Sequence, residues 1–327
     1  MGQEESALKY PVIDFHCDAL SKMMLDPALD FASDERLDVN LRRMKDGGVA
    51  LQCFAIFLSE RLGTPKMEHV LGQLDLFRQK IKTLGVSEIR TAEEFEALER
   101  KGGIGGFLSL EGADGLEGNL HYLRICYERG VRFLGITWNH ANWAADGIME
   151  PKGRGFTPQG LELVKACHEL GIILDVSHLS VKGFWELAEL ADRAGKPFIA
   201  SHSNAYSVCG HARNLRDDQI KEIVRLRGRI GITFVPWFVK EGRNVSSRDI
   251  LPHLDRICSL GGAGTIMFGS DFDGIESHLS DLRHAGHYAQ WQETLLKYYP
   301  EELVRGWLYG HAAAFLRAWL PKGEKAL

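Results

Sequence analysis

The sequence predicts an α/β fold, a (β/α)8 TIM barrel with additional terminal helices. Three observations carry that expectation. Eight short apolar runs alternate with amphipathic helical stretches along the 327 residues, the pattern of a parallel sheet whose eight units close on themselves. No G-x-G-x-x-G follows the first run, as an open dinucleotide-binding sheet would require; Gly102-Gly103 and Gly105-Gly106 fall before or within the third run instead. Histidines and acids follow one strand after another, at the ends where barrels carry their chemistry.

In order, Val12–Phe15 opens the barrel, and His16 and Asp18 follow it. Asp38–Gly48 is a short helix stopped by Gly47-Gly48. Val49–Ser59 reads as a strand buried on both faces. Lys66–Leu84 is a long amphipathic helix, and Thr91 with Glu94 forms a capping box for the helix ending near Lys101. Ile104–Leu110 is the third strand, ending in Glu111-Gly112; Leu116–Arg129 is helical. Val131–Thr137 runs into the polar stretch WNHANWAADG, and Pro158–Leu170 is a helix. Ile172–Val176 ends in Ser177-His178, and Pro197–Ala200 in Ser201-His202-Ser203, with the helix Val181–Ala194 between them. The helix Asp217–Arg227, strand Ile230–Val235, helix Ser247–Leu260 and strand Thr265–Phe268 follow, the last leading into Gly269-Ser270-Asp271. Trp291–Leu320 is read as a helical tail. The excess over the roughly 250 residues of a minimal barrel goes to loops and terminal helices. With no Pro/Ser-rich linker, residues 1–327 are expected to form one domain.

Composition narrows the function classes. Hydrophobic content of 45%, charged content of 25% and a net charge of -5 describe a soluble globular chain without a nucleic-acid-binding basic block. No run approaches a membrane span, and MGQEESALKY is neither a secretory signal nor a convincing myristoylation site. Six scattered cysteines without a C-x-x-C pair read as reduced thiols, which points to the cytoplasm. Cys17 should face away from His16 and Asp18 and belong to the core.

Residues i and i+2 of an extended segment share a side, so His16 and Asp18 can converge on one cation. Taken singly, Glu111, His178, His202 and Asp271 are each explicable as turn or cap residues. Chance, however, would scatter such residues over both strand ends. His16, Asp18, Glu111, His178 and His202 make a donor set suited to zinc, too large for one tetrahedral ion that keeps an open position. They suit two Zn2+ ions about 3.5–4 Å apart, bridged by Glu111 and a water or hydroxide whose pKa falls to about 7. Asp271 is the candidate general base.

The segments FHCDAL, SLEGADGL, DVSH, SHSNAYSVCGHARNL and GSDFDG resemble the membrane dipeptidase (renal dipeptidase) family of zinc peptidases, peptidase family M19. The resemblance runs from strand one to GHAAAFLRAW. It implies a barrel holding two zinc ions and hydrolysis of dipeptides, often with a D-residue at the C-terminal position. By motif, His16 and Asp18 take one zinc, Glu111 both, and His178 and His202 the other. Arg213 matches the arginine that grips the substrate carboxylate, a role suited to its two-pronged guanidinium. Asp271 matches the aspartate facing the catalytic water or the substrate amine.

The sequence departs from the family at one place. Many members have a histidine directly after the strand-four threonine, as a carbonyl electrophile. Here Trp138 follows Thr137. If the strand continues, His140 lies on the same face and becomes the candidate catalytic and substrate-binding group; Asn139 and Asn142 are substitutes. His211 is read as a loop residue, and the remaining histidines as lacking convergent partners. Trp237 is a candidate pocket wall, and Tyr298-Tyr299-Pro300 a candidate homodimer surface. Dipeptides are the expected partners, with neither nucleic acid nor membrane. Two alternatives stay open: a related amidohydrolase acting on N-acyl amino acids, lactones or β-lactams, and a binding paralogue with weak catalysis, which Trp138 favours.

Overall fold

The computed structural model describes residues 10–323; the N-terminal segment read above for targeting signals lies mostly outside them. Eight parallel strands close into a barrel: β1 (Val12–Cys17), β2 (Val49–Phe57), β3 (Gly105–Glu111), β4 (Val131–Gly135), β5 (Ile173–Asp175), β6 (Ile199–Ala200), β7 (Arg229–Ile232) and β8 (Ile266–Phe268). Closure comes where Asp14 of β1 pairs with Phe268 of β8. β2 and β3 run in continuous register from Leu51 opposite Gly105 to Phe57 opposite Glu111. The two-residue strand Ser87–Glu88 joins the start of β3, below the point where β4 begins pairing at Leu108.

Strand alternation sorts the core into two layers. Ile13, Phe15, Leu51, Cys53, Phe107, Phe133, Ile173, Ile199 and Met267 belong to one buried cluster. Val12, Cys17, Phe54, Leu108, Leu134, Leu174, Ile230 and Phe268 belong to another, with the helices around the barrel. Phe15 lies 5.1 Å from Phe107 and 5.6 Å from Phe133, ring centre to ring centre, plugging the interior with aromatic edges. Phe315 and Leu316, from the helix His311–Trp319, join this inner cluster with Phe95 and Leu98. Cys17 is a core thiol, as expected.

The helices Pro158–Leu170 and Val181–Ala194 have the expected bounds, and the Thr91–Glu94 capping box is formed. Three long helices are instead broken. The segment Lys66–Leu84 is helical over Met67–Leu76, then passes through a π turn at Phe77–Ile81 and a 3-10 turn at Lys82–Leu84. Glu117 and Gly118 take positive φ, so the next helix starts afresh at Leu120 behind an Asn119 cap. In the tail, Tyr299 is extended ahead of Pro300, which restricts its predecessor and has no N–H to donate. Tyr288–Tyr298 is therefore separate from the helical stretch that follows, in which Glu301–Arg305 continues through a π turn at Gly306–Gly310 into His311–Trp319. Tyr299 also departs from a docking surface: its ring lies 4.8 Å from Trp307 and its hydroxyl donates to Asp255, leaving Tyr298 as the exposed aromatic. No helix among the described residues is long and apolar enough to cross a membrane.

Candidate metal centre

A parallel barrel brings every strand's carboxyl end to one rim, and the predicted groups meet there. His16 Nε2 lies 3.4 Å from Asp18 Oδ2, 3.4 Å from Glu111 Oε2 and 3.8 Å from Asp271 Oδ1. Glu111 Oε1 is 2.9 Å from His178 Nε2 and 3.7 Å from His202 Nε2. The two Nε2 atoms are themselves 2.9 Å apart. Two donor groups result, His16–Glu111–His202 and His16–Asp18–Asp271, with one ligand atom per residue and all such atoms within 4.8 Å of one another. Glu111 thus has one oxygen toward His16 and the other toward His178.

Neighbouring bonds fix which nitrogen faces inward. Ser201 Oγ donates to Asp175 Oδ2 at 2.5 Å and so accepts from His202 Nδ1 at 2.7 Å. His178 Nδ1 donates to the Asn139 side-chain oxygen at 2.9 Å. Both rings therefore turn an Nε2 lone pair toward Glu111, the tautomer a metal ligand needs. Asp175 also accepts from Ser177 Oγ and from the backbone N–H groups of Ser177 and Ser201, tying β5 to β6 behind the site. Asp14 does the same behind His16, accepting from the Ser270 and His16 amides and the Tyr288 hydroxyl.

The electrostatics fit cations. Burial, followed by the charge of Arg213, brings His178 down to about 3, and burial together with His16 and Arg213 holds His202 well below its usual value. Both rings are neutral at pH 7. Burial and Glu111 raise Asp18, and burial raises Asp271 well above the carboxylate range. Burial also penalises charge on Glu111, but His16 and His178 outweigh it and hold this carboxyl low. Both ring nitrogens of His16 and Oδ1 of Asp18 are buried without a hydrogen-bond partner in the protein. Buried donors and acceptors are seldom left so. Unpartnered imidazole and carboxylate atoms around three crowded acids are the surroundings a divalent pair would satisfy.

The rim opens into a cavity of about 690 Å³ that reaches Asp18, Glu111, His178, Arg213 and Asp271. Arg213 is 3% exposed; Nη2 contacts His178 Nε2 at 2.9 Å, while Nε and Nη1 have no partner. Burial brings its guanidinium down to about 10, still charged at neutral pH. Asp271 takes φ +66, a left-handed conformation rare outside glycine. Gly274 makes room for it: a Cβ there would stand 2.2 Å from Asp18 Oδ2 and 2.5 Å from Asp271 Oδ1.

His140 does not join this group. β4 stops at Gly135 and the chain bends through 138–140, so no continuing strand carries His140 inward. The bend depends on Gly147, where a Cβ would lie 2.4 Å from the Trp138 carbonyl oxygen. The His140 side chain is 63% exposed, with Nδ1 3.4 Å from Glu150. Asn142 staples its own loop, donating to Asp114 and to the Ile136 carbonyl. Of the three alternatives, Asn139 alone lines the main cavity. Trp237 lines it as expected, and so, unforeseen, does His211, its ring 4.4 Å from Phe238. The supporting Asp175 and Ser201 were not foreseen, although both sit in the DVSH and SHS segments beside the candidate ligands.

The sequence pattern of the membrane dipeptidase family, peptidase family M19, matches residues 4–320. Among curated proteins, an uncharacterised protein encoded 5′ of pqqA in Klebsiella pneumoniae is 36% identical over 176 residues, 51% of this chain and 64% of that one. Dipeptidase tcpJ of Claviceps purpurea is 28% identical over 288 residues, covering 81% of this chain and 67% of that protein. The crystal structure of dipeptidase AC, a family M19 metallopeptidase, superposes with a TM-score of 0.87 at 27% identity over 95% of this chain and 99% of its own. A metallopeptidase of Rhodobacter sphaeroides, liganded with a phosphinate mimic of L-Ala-D-Ala, gives 0.86 at 26% identity over 95% and 99%. The chain therefore belongs to the membrane dipeptidase family, peptidase family M19, on a barrel that is that of a metal-dependent peptide-bond hydrolase.

Proposed function

We propose that this protein is a dipeptidase carrying two zinc ions, with His16 and Asp18 on one, His178 and His202 on the other, and Glu111 on both. The observation that carries the reading is the meeting of Glu111 with His16 and His178 on opposite oxygens, beside buried donors with no protein partner. When bound, the ions would supply Lewis acidity, lowering the pKa of a coordinated water from about 15.7 toward 7.

The chain's own residues do the rest. Arg213 receives the substrate's free C-terminal carboxylate through Nε and Nη1, which are buried and unpaired. Asp271 would be ionised once cations offset the neighbouring acids, and its carboxylate would then take the proton of the attacking water as the carbonyl carbon gains oxygen. Asp271 returns that proton to the departing amine nitrogen as the C–N bond breaks. A D-residue at the C-terminal position is included in the proposal, supported by the L-Ala-D-Ala mimic bound to the Rhodobacter sphaeroides protein. The exposure of His140 removes the observation that favoured it as electrophile, and Asn139 is the group at the cavity wall.

The test joins metal analysis to a panel of L-L and L-D dipeptides, free and C-terminally amidated. Two zinc ions per chain are expected, with near-complete loss of turnover in Glu111→Gln. Amidated substrates should lose about 10- to 200-fold in kcat/KM, the equivalent of a charge-assisted hydrogen bond of about 1.5–3 kcal/mol. Equal rates on free and amidated dipeptides would remove Arg213 from the carboxylate, and a panel without turnover would remove the dipeptidase reading.

A further inference from the structure

Two cavities meet at Glu111. Behind the main one lies a second of about 210 Å³, reaching Leu58, Glu60, Pro65, Asp114 and His140. Their shared wall consists of Phe57, Glu111 and Trp138. The Phe57 and Trp138 rings stand 5.0 Å apart at 51°, and both are half-buried, so they form a partition and not part of the core. The third residue common to both linings, Glu111, is a proposed metal ligand.

The topology says which end of a substrate meets this partition. Phe57 ends β2, whereas Arg213 follows β6, four strands away in a closed ring of eight. Phe57 therefore stands across the rim from Arg213, while Trp138, after β4, stands between them with its ring 6.2 Å from that of His178. A dipeptide anchored by its carboxylate at Arg213 extends its N-terminal residue toward β2 and β4. On the dipeptidase reading given above, we infer that Phe57 and Trp138 set the upper size of the substrate's N-terminal side chain by closing off the second cavity. Glu60 and Asp114 beyond the partition would meet whatever enters it.

Steady-state kinetics on the zinc-loaded full chain test this. One series is X-Ala with X running through Gly, Ala, Leu, Phe, Trp and Arg; the other is Ala-X. In the wild type, kcat/KM should fall from Leu to Trp in the X-Ala series. Trp138→Ala should raise the ratio of Trp-Ala to Ala-Ala about tenfold or more, within the range a hydrophobic pocket discriminates, and the Arg-Ala ratio as well. The Ala-X ratios should stay within about twofold. Phe57→Ala opens the same partition from the other ring and provides the result should Trp138→Ala fail to fold, as judged by circular dichroism and zinc content. Unchanged X-Ala ratios in a folded variant would overturn the inference, and so would a shift confined to the Ala-X series. Wild-type protein that hydrolyses neither series would overturn the dipeptidase reading and this inference together, a pattern distinct from either of the former.

Discussion

His202 shows how much of this site depends on a single proton. Its Nδ1 donates to Ser201 Oγ, whose own proton goes to Asp175, so the Nε2 lone pair faces Glu111. Ser201→Ala removes that acceptor and frees the ring to take the other tautomer. Zinc affinity should fall about 10- to 100-fold, measured by competition with a chromogenic chelator, while thermal stability changes by only about 1 kcal/mol. Unchanged affinity would mean that the ring is held some other way. That these groups gather was legible in the sequence because each sits at or within three residues of a strand's carboxyl end, and the strand ends of a parallel barrel share a rim. The position of His140 was not, since bringing it to the rim needed two more residues of extended backbone, and Gly147 lets the chain turn first.

At the scale of elements, the loop between β6 and the helix Asp217–Arg225 carries Arg213, and buried polar groups hold it. Asn204 exchanges bonds with the Thr233 backbone, Asn214 donates to the Cys209 and Phe238 carbonyls, and the Ala205 N–H donates to His253 Nδ1. His253 Nε2 in turn donates to the Val239 carbonyl, so its neutral form satisfies both partners. Burial lowers its pKa in the folded chain below the usual value. The unfolded chain then binds the extra proton first, and stability is lost as pH falls from about 6.5 toward the folded value. The melting temperature should decline between pH 7 and 5, and more shallowly in His253→Gln, whose amide can still accept and donate. Parallel slopes would exclude His253 as a contributor. The existence and type of most elements could be read from periodicity. The breaks could not: apolar spacing persists through Glu117-Gly118, where positive φ interrupts the helix.

For the whole molecule, the question is what the ions would hold together. The candidate ligands project from strand ends fixed by two buried apolar clusters, so the barrel should fold without metal. Chelation should abolish turnover and leave the far-ultraviolet circular dichroism unchanged. The melting temperature should fall by several degrees, because binding at 1,000 times Kd contributes about 4 kcal/mol; zinc should restore both. Collapse of the spectrum on chelation would make the ions structural.

Alternation of apolar strands with helices determined the barrel, because a parallel sheet needs crossovers and eight such strands close on themselves. Placement of acids and histidines after those strands determined which residues could gather, because parallel strands end together. Only the tertiary structure decided which of Asn139, His140 and Asn142 reaches the cavity. It also decided that Trp138 and Phe57 face each other across two spaces, and that Asp175 and Ser201 orient the ring of His202. Those outcomes depend on where a loop bends and what stands across the rim from it, and local sequence carries no record of the residue on the far side.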